Sequence, residues 1–97
     1  MEPWRELVAE GKLWEASVLL APEATGMEGM GFYAAVGYSA EARGDEAVAA
    51  GNVDSGRVFY EDALRSYLMY AQYPARGDSE DYGIGLAEDV LKKIARM

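Results

Sequence analysis

From about Met30 to Ala50, the residues recurring at helical spacing are Tyr33, Ala34, Gly37, Ala40, Gly44, Ala47 and Val48, with Gly51 at the very end. In an α-helix, positions three and four apart share a face, so this segment presents a stripe with few large side chains. Each of the two glycines inside it costs about 1 kcal/mol against alanine. A neighbouring helix that approaches closely enough to use the missing Cβ atoms offsets that cost. A groove between small residues also accepts large ones, so the stripe calls for a partner helix rich in bulky side chains.

The next segment supplies that partner. Asp54 or Ser55 can cap its start and Pro74 stops it. Phe59, Tyr60, Ala63, Leu64, Tyr67, Leu68, Tyr70 and Ala71 spread over roughly half of its circumference, which predicts burial against two neighbours. Glu61, Asp62, Arg65 and Gln72 occupy the opposite side, Met69 falls among them, and Tyr73 lies just past the edge of the apolar arc.

Two short helices are expected earlier, over Pro3–Glu10 and Lys12–Leu20, with Gly11 between them and Pro22 after them. Trp4, Leu7 and Val8 form one apolar face, and Leu13, Ala16 and Leu20 the next. Asp78 or Ser79 caps a fifth helix that runs to about Ala95, with Ile84, Ala87, Val90, Leu91 and Ile94 inward. On its outer side Glu88-Lys92-Arg96 and Asp89-Lys93 are i,i+4 series in the acid-first order. Alternating Val/Ile/Thr runs are missing, so no strand is expected. The 97 residues suit a single core. The predicted fold is all-α: five helices, two short and three longer, packed as antiparallel hairpins in a small bundle. One domain spans 1–97, with a glycine-rich connection at about 22–30. In that connection the order Gly26-x-x-Gly29-x-Gly31 has no strand before it and no Gly-Lys-Ser/Thr after it, which makes it a linker rather than a phosphate cradle.

Composition removes much chemistry. Zero Cys excludes disulfides, cysteine metal sites and thiol catalysis, and zero His removes the commonest general base and metal ligand. Nine basic against 17 acidic residues give a net charge of −8, which a phosphate backbone would repel, so no nucleic-acid partner is expected. No apolar run approaches the roughly 20 residues of a membrane span, so no membrane partner is expected either. Met1-Glu2-Pro3-Trp4-Arg5-Glu6 mixes charges unlike a signal peptide, and a cytoplasmic location is the expectation. A single Asn, Gln and Thr beside the missing Cys and His suit a hot environment, while the Arg bias suits a GC-rich genome equally well.

Two internal echoes, Glu61-Asp62-Ala63-Leu64-Arg65 with Glu88-Asp89-Val90-Leu91-Lys92 and Ala42-Arg43-Gly44-Asp45 with Ala75-Arg76-Gly77-Asp78, differ in spacing and define no repeat period. Gly44, the turn Gly51-Asn52, and Gly56-x3-Tyr60-x2-Ala63 resemble a tetratricopeptide-type helix hairpin in their small/aromatic/small spacing. Gly11-Lys12-Leu13-Trp14-Glu15-Ala16 is similar to the turn and second-helix start of another such unit, and Tyr60-Glu61-Asp62-Ala63-Leu64 to a helix of the MIT domain. Ala40 and Ala47 depart from the repeat, standing where large residues are typical. The resemblance implies a helical module that holds protein partners.

Carboxylates are the obvious catalytic material. Glu41 and Asp45 lie one helical turn apart, as do Asp78 and Asp81, but helical di-metal sites pair Glu with His, which this chain lacks. Glu41 is the one acid beside an apolar stripe and is expected to keep its head in solvent. A calcium loop counted from Asn52 fails, with Gly56, Arg57 and Ala63 at its fifth, sixth and twelfth positions. Arg43-Gly44-Asp45 and Arg76-Gly77-Asp78 match an adhesion tripeptide, and helix and turn chemistry explain both. No catalytic, cofactor-binding or metal-binding residue is assigned. Among the seven tyrosines, Tyr60, Tyr67 and Tyr33 fill the core, whereas Tyr38, Met69 and Tyr73 fall outside the core arcs and form the candidate partner surface. The functional expectation is a non-enzymatic helical protein–protein interaction module or small complex subunit, able to self-associate. The alternative is a small helical enzyme or an inactive HEPN-like nuclease-related subunit, whose Arg…His constellation would here lack its His.

Overall fold

The computed structural model describes residues 2–20, 32–71 and 78–97. They form five helices, α1 (Pro3–Ala9), α2 (Leu13–Leu20), α3 (Phe32–Ala49), α4 (Val53–Ala71) and α5 (Asp78–Ala95), with no strand among the described residues. The all-α bundle of two short and three longer helices is as the periodicity predicts. The glycine-rich connection at about 22–30 lies outside the described residues.

One device turns both hairpins. Gly11 and Gly51 have φ of +80° and +87°, a left-handed conformation that costs glycine least. After α1, the Lys12 N–H donates to the Leu7 carbonyl at 2.8 Å and the Gly11 N–H to that of Val8 at 3.0 Å. After α3, Asn52 donates to Ala47 and Gly51 to Val48 at the same two distances. These are Schellman pairs, which satisfy carbonyls that a helix end leaves unmatched. The turn delivers Asn52 directly into the next helix, where the Gly56 N–H closes the first bond on the Asn52 carbonyl at 2.9 Å. Consequently α4 begins at Val53, and Asp54 and Ser55 sit inside its first turn rather than capping it.

Helix α4 is the hub, with α3, α5 and α2 packed around it and α1 packed on α2. The stripe on α3 meets it as expected. A Cβ at Gly37 would overlap the ring of Tyr67, and one at Gly44 would lie 2.6 Å from the ring of Tyr60. Gly56 completes the crossing: its own missing Cβ makes room for Val48 and for the Gly44 carbonyl, 3.3 Å from where that Cβ would stand. Tyr67, Leu68, Leu20 and Val90 are fully buried at the centre. Each fully buried aliphatic side chain contributes about 1.5–3 kcal/mol, and tyrosines of this size bury roughly 150–250 Å². Ser17 is buried among them, and its hydroxyl donates to the Trp14 carbonyl at 2.6 Å, which meets its need for a partner. From α1, Trp4 closes one end of the core, and Arg5 lies 4.7 Å over its ring while pairing with Glu61 of α4.

These contacts reverse the ordinary helix propensity of glycine. Gly37→Ala and Gly44→Ala should each destabilise, although alanine is the better helix former by about 1 kcal/mol. Gly44→Leu should cost about 1–3 kcal/mol through overpacking. Gly85 of α5, with nothing within 4 Å of its missing Cβ, is the internal control. Urea titrations should show Gly85→Ala stabilising by up to about 1 kcal/mol. A higher midpoint for Gly44→Leu would mean that this face of α3 is not against α4.

Candidate functional site

Polar atoms gather where α3 and α5 flank the tyrosines of α4. Tyr67 donates its hydroxyl hydrogen bond to Glu41 Oε1 at 2.6 Å, and Tyr60 donates to Asp45 Oδ1 at 2.6 Å. From α5, Lys93 Nζ reaches Glu41 Oε2 at 2.6 Å and the two Asp45 oxygens at 3.0 and 3.1 Å. One ammonium thus joins two carboxylates one turn apart on α3, and each carboxylate also accepts a phenol from α4. Glu41 does not keep its head in solvent as expected: its side chain is only 17% exposed because Tyr67 and Lys93 hold it inward. Nor does Lys93 complete the expected i,i+4 pair with Asp89, since both α3 carboxylates lie within its reach.

Each proton in the cluster is held where the bonds require it. Burial pushes the Asp45 carboxyl up, but hydrogen bonds from Tyr60 and Lys93 outweigh burial and hold it below its ordinary value. Burial pulls the Lys93 ammonium down, and Glu41 and Asp45 more than reverse this, raising it. Burial and the Glu41 carboxylate push the Tyr67 phenol far up, and burial with Asp45 does the same, more mildly, to Tyr60. Tyr60 and Tyr67 are thus held as phenols, Asp45 as a carboxylate and Lys93 as an ammonium, each shifted further from neutrality by its neighbours.

Removing the cation leaves Glu41, 17% exposed, and Asp45, 49% exposed, one turn apart with no ammonium between them. Because each carboxylate keeps its phenol and all three charged groups are partly open to solvent, Lys93→Met should destabilise by about 1 kcal/mol, and adding Glu41→Gln should recover part of it. Linkage fixes the pH window. Asp45, depressed when folded, contributes stability above its ordinary value of 3.8 and loses it as pH falls further. Lys93, raised when folded, contributes below its ordinary value of 10.5 and loses it as pH climbs beyond. The gap between wild type and Lys93→Met in denaturant titrations should be widest between those limits and shrink outside both. A gap independent of pH would show that packing, not charge, sets the cost.

The candidate partner surface separates on inspection. Tyr38 is 45% exposed, but its hydroxyl is bonded to that of Tyr82 on α5 and its ring stands edge-on to Tyr67 at 5.8 Å. Tyr82 in turn meets Tyr70 edge-on at 6.1 Å. Tyr38 thus belongs to an aromatic bridge between α3 and α5. Met69, expected at the surface, is 5% exposed. At its level α4 is covered on nearly all sides, and Ser66, Tyr67, Leu68 and Met69 are buried in succession. Tyr73 lies outside the described residues. Tyr38 and Met69 therefore do not share an exposed patch. The bond to Tyr82 is the first cause raising the Tyr38 phenol to about 12, with burial second. Tyr82→Phe should bring Tyr38 back toward its ordinary 10.0 in a spectrophotometric titration at 295 nm, whereas an unchanged titration would deny the bond.

Exposed apolar residues also occur on α3, α4 and α5, but three of them share α2. Leu13, Ala16, Ser17 and Leu20 face inward, leaving Trp14, Val18 and Leu19 outward at 42, 47 and 49% exposure. Leu19 also edges a shallow trough with Trp4, Asp62 and Arg65, which continues past Asp62 and Arg65 to Val36 and Phe59 between α3 and α4. The signal was in the sequence: six of the eight residues of α2 are apolar, too many for one buried face.

No group of three acidic, His or Cys residues is placed to hold a metal ion among the described residues, and no described helix is long and apolar enough to cross a membrane. Compared with known families, characterised proteins and solved structures, the chain matches none.

Proposed function

We propose that the protein is a non-enzymatic helical interaction module, cytoplasmic, that holds a protein partner through the outer face of α2. The observation that supports this reading is the run of Trp14, Val18 and Leu19, each exposed by more than two-fifths on a single eight-residue helix. Scattered exposed apolar residues mean little, but a cluster on one face is what an interface uses. Tryptophan is also among the side chains that dominate binding energy. With a net charge of −8, two copies repel each other, so charge favours a different protein over a second copy.

Trp14→Ser, Val18→Ser and Leu19→Ser combined should leave helical ellipticity and the melting temperature nearly unchanged, because these side chains face outward. The same variant should lose the proteins that the wild type retains in affinity capture from its native lysate, or lose its excess mass in light scattering if the partner is a second copy. Equal retention and equal mass for two well-folded proteins would remove α2 as the interface.

A further inference from the structure

A crevice of about 180 Å³ opens between residues of α1, α4 and α5. Trp4 and Val8 of α1, Leu64 of α4, and Leu91 and Ile94 of α5 wall it with apolar surface. Two charged features border it, and they are not equivalent. Arg5 and Glu61 neutralise each other across the α1–α4 contact. Arg57, one turn before Glu61 on α4, lines the same crevice, is exposed, and has no ion-pair partner among the described residues. With Glu61 taken by Arg5, an apolar hollow is left with one uncompensated cation.

The geometry points to a binding site for a short-chain monocarboxylate, its tail in the crevice and its carboxylate on Arg57. Size sets an upper bound on this class, since an enclosed apolar cavity of about 150 Å³ accepts benzene, so an open crevice of 180 Å³ takes a tail of no more than about six carbons. Charge selects the head group: a guanidinium binds a carboxylate through paired N–H donors, and it repels an amine. The Arg5–Glu61 pair is locally neutral, so Arg57 sets the charge preference at the crevice against the overall net charge of −8. The inference is independent of the α2 interface, because the crevice uses none of its residues.

Trp4 lines the site and reports on it. In a Trp14→Phe background it is the only indole, since the chain has two tryptophans. Titration of this protein with hexanoate, hexan-1-ol and hexylamine should give a saturable fluorescence change for hexanoate, with binding at least about tenfold weaker for the alcohol and none for the amine. Arg57→Gln should abolish the preference for hexanoate over the alcohol, and Arg57→Lys should restore part of it. Ala9→Phe, at an exposed position bordering the crevice, should weaken both ligands while leaving helical ellipticity intact. Equal affinity for hexanoate and hexan-1-ol would overturn the proposal. So would a response insensitive to both Arg57→Gln and Ala9→Phe, or no saturable response to hexanoate.

Discussion

The architecture depends on two tyrosine rings lying where two glycines have no side chain. Tyr60 and Tyr67 pack against α3 because Gly44 and Gly37 leave room, and each phenol reaches a carboxylate of α3, Tyr67 to Glu41 one turn beyond Gly37 and Tyr60 to Asp45 beside Gly44. Steric fit and hydrogen bonding are therefore one arrangement. A Cβ on α3 would displace a ring, and a displaced ring would lose its bond to Glu41 or Asp45. Cores of this kind tolerate little change in shape, because overpacking and unsatisfied polar groups each cost on the order of 1–3 kcal/mol.

The same arrangement explains how α5 is oriented. Its apolar face, with Ala87 and Val90 buried, sets it against α4, but such contacts alone allow sliding. Lys93 fixes the register by bonding two carboxylates of α3, and Tyr82 adds a second fixed point through Tyr38. Polar groups at helix boundaries serve specificity when every member is satisfied, and no buried side-chain nitrogen or oxygen lacks a partner among the described residues.

Much of this was legible in the residues. The spacing of Gly37, Gly44, Tyr60 and Tyr67 predicted the α3–α4 crossing because a small stripe and a bulky arc are complementary at the level of volume alone. Gly44, Gly56, Tyr60 and Ala63, which carried the resemblance to tetratricopeptide hairpins, are the positions that a close crossing needs, so the spacing speaks for the packing. What escaped the sequence was contact between distant faces. Glu41 looked like a solvated boundary acid because nothing in the order of residues says that Lys93, 52 positions later, crosses to it. Met69 looked outward because a helical wheel ranks residues against one partner, whereas α4 has neighbours on three sides. The outward face of α2 escaped for the opposite reason: an apolar-rich helix was read by its inner residues, although its two faces cannot both be buried in so small a bundle.

Fixity and exposure are divided between two parts of the chain. The clamp of phenols, carboxylates and lysine rigidifies α3, α4 and α5. The α1–α2 hairpin is held to them by a few groups, chiefly Trp4, the Arg5–Glu61 pair and the inward side chains of α2. Elements with fewer buried contacts open at lower free energy than the core, and binding surfaces are commonly carried on such elements beside a rigid scaffold. The proposed interface and the proposed ligand crevice both lie on the α1–α2 side of that division. Trp14, Val18 and Leu19 are displayed by α2, and the crevice is walled on one side by Trp4, Val8 and Ala9 of α1. A ligand in that crevice would touch α1, α4 and α5 together and so add to the hold on the hairpin, coupling occupancy of the crevice to the stability of the helix pair that presents the interface.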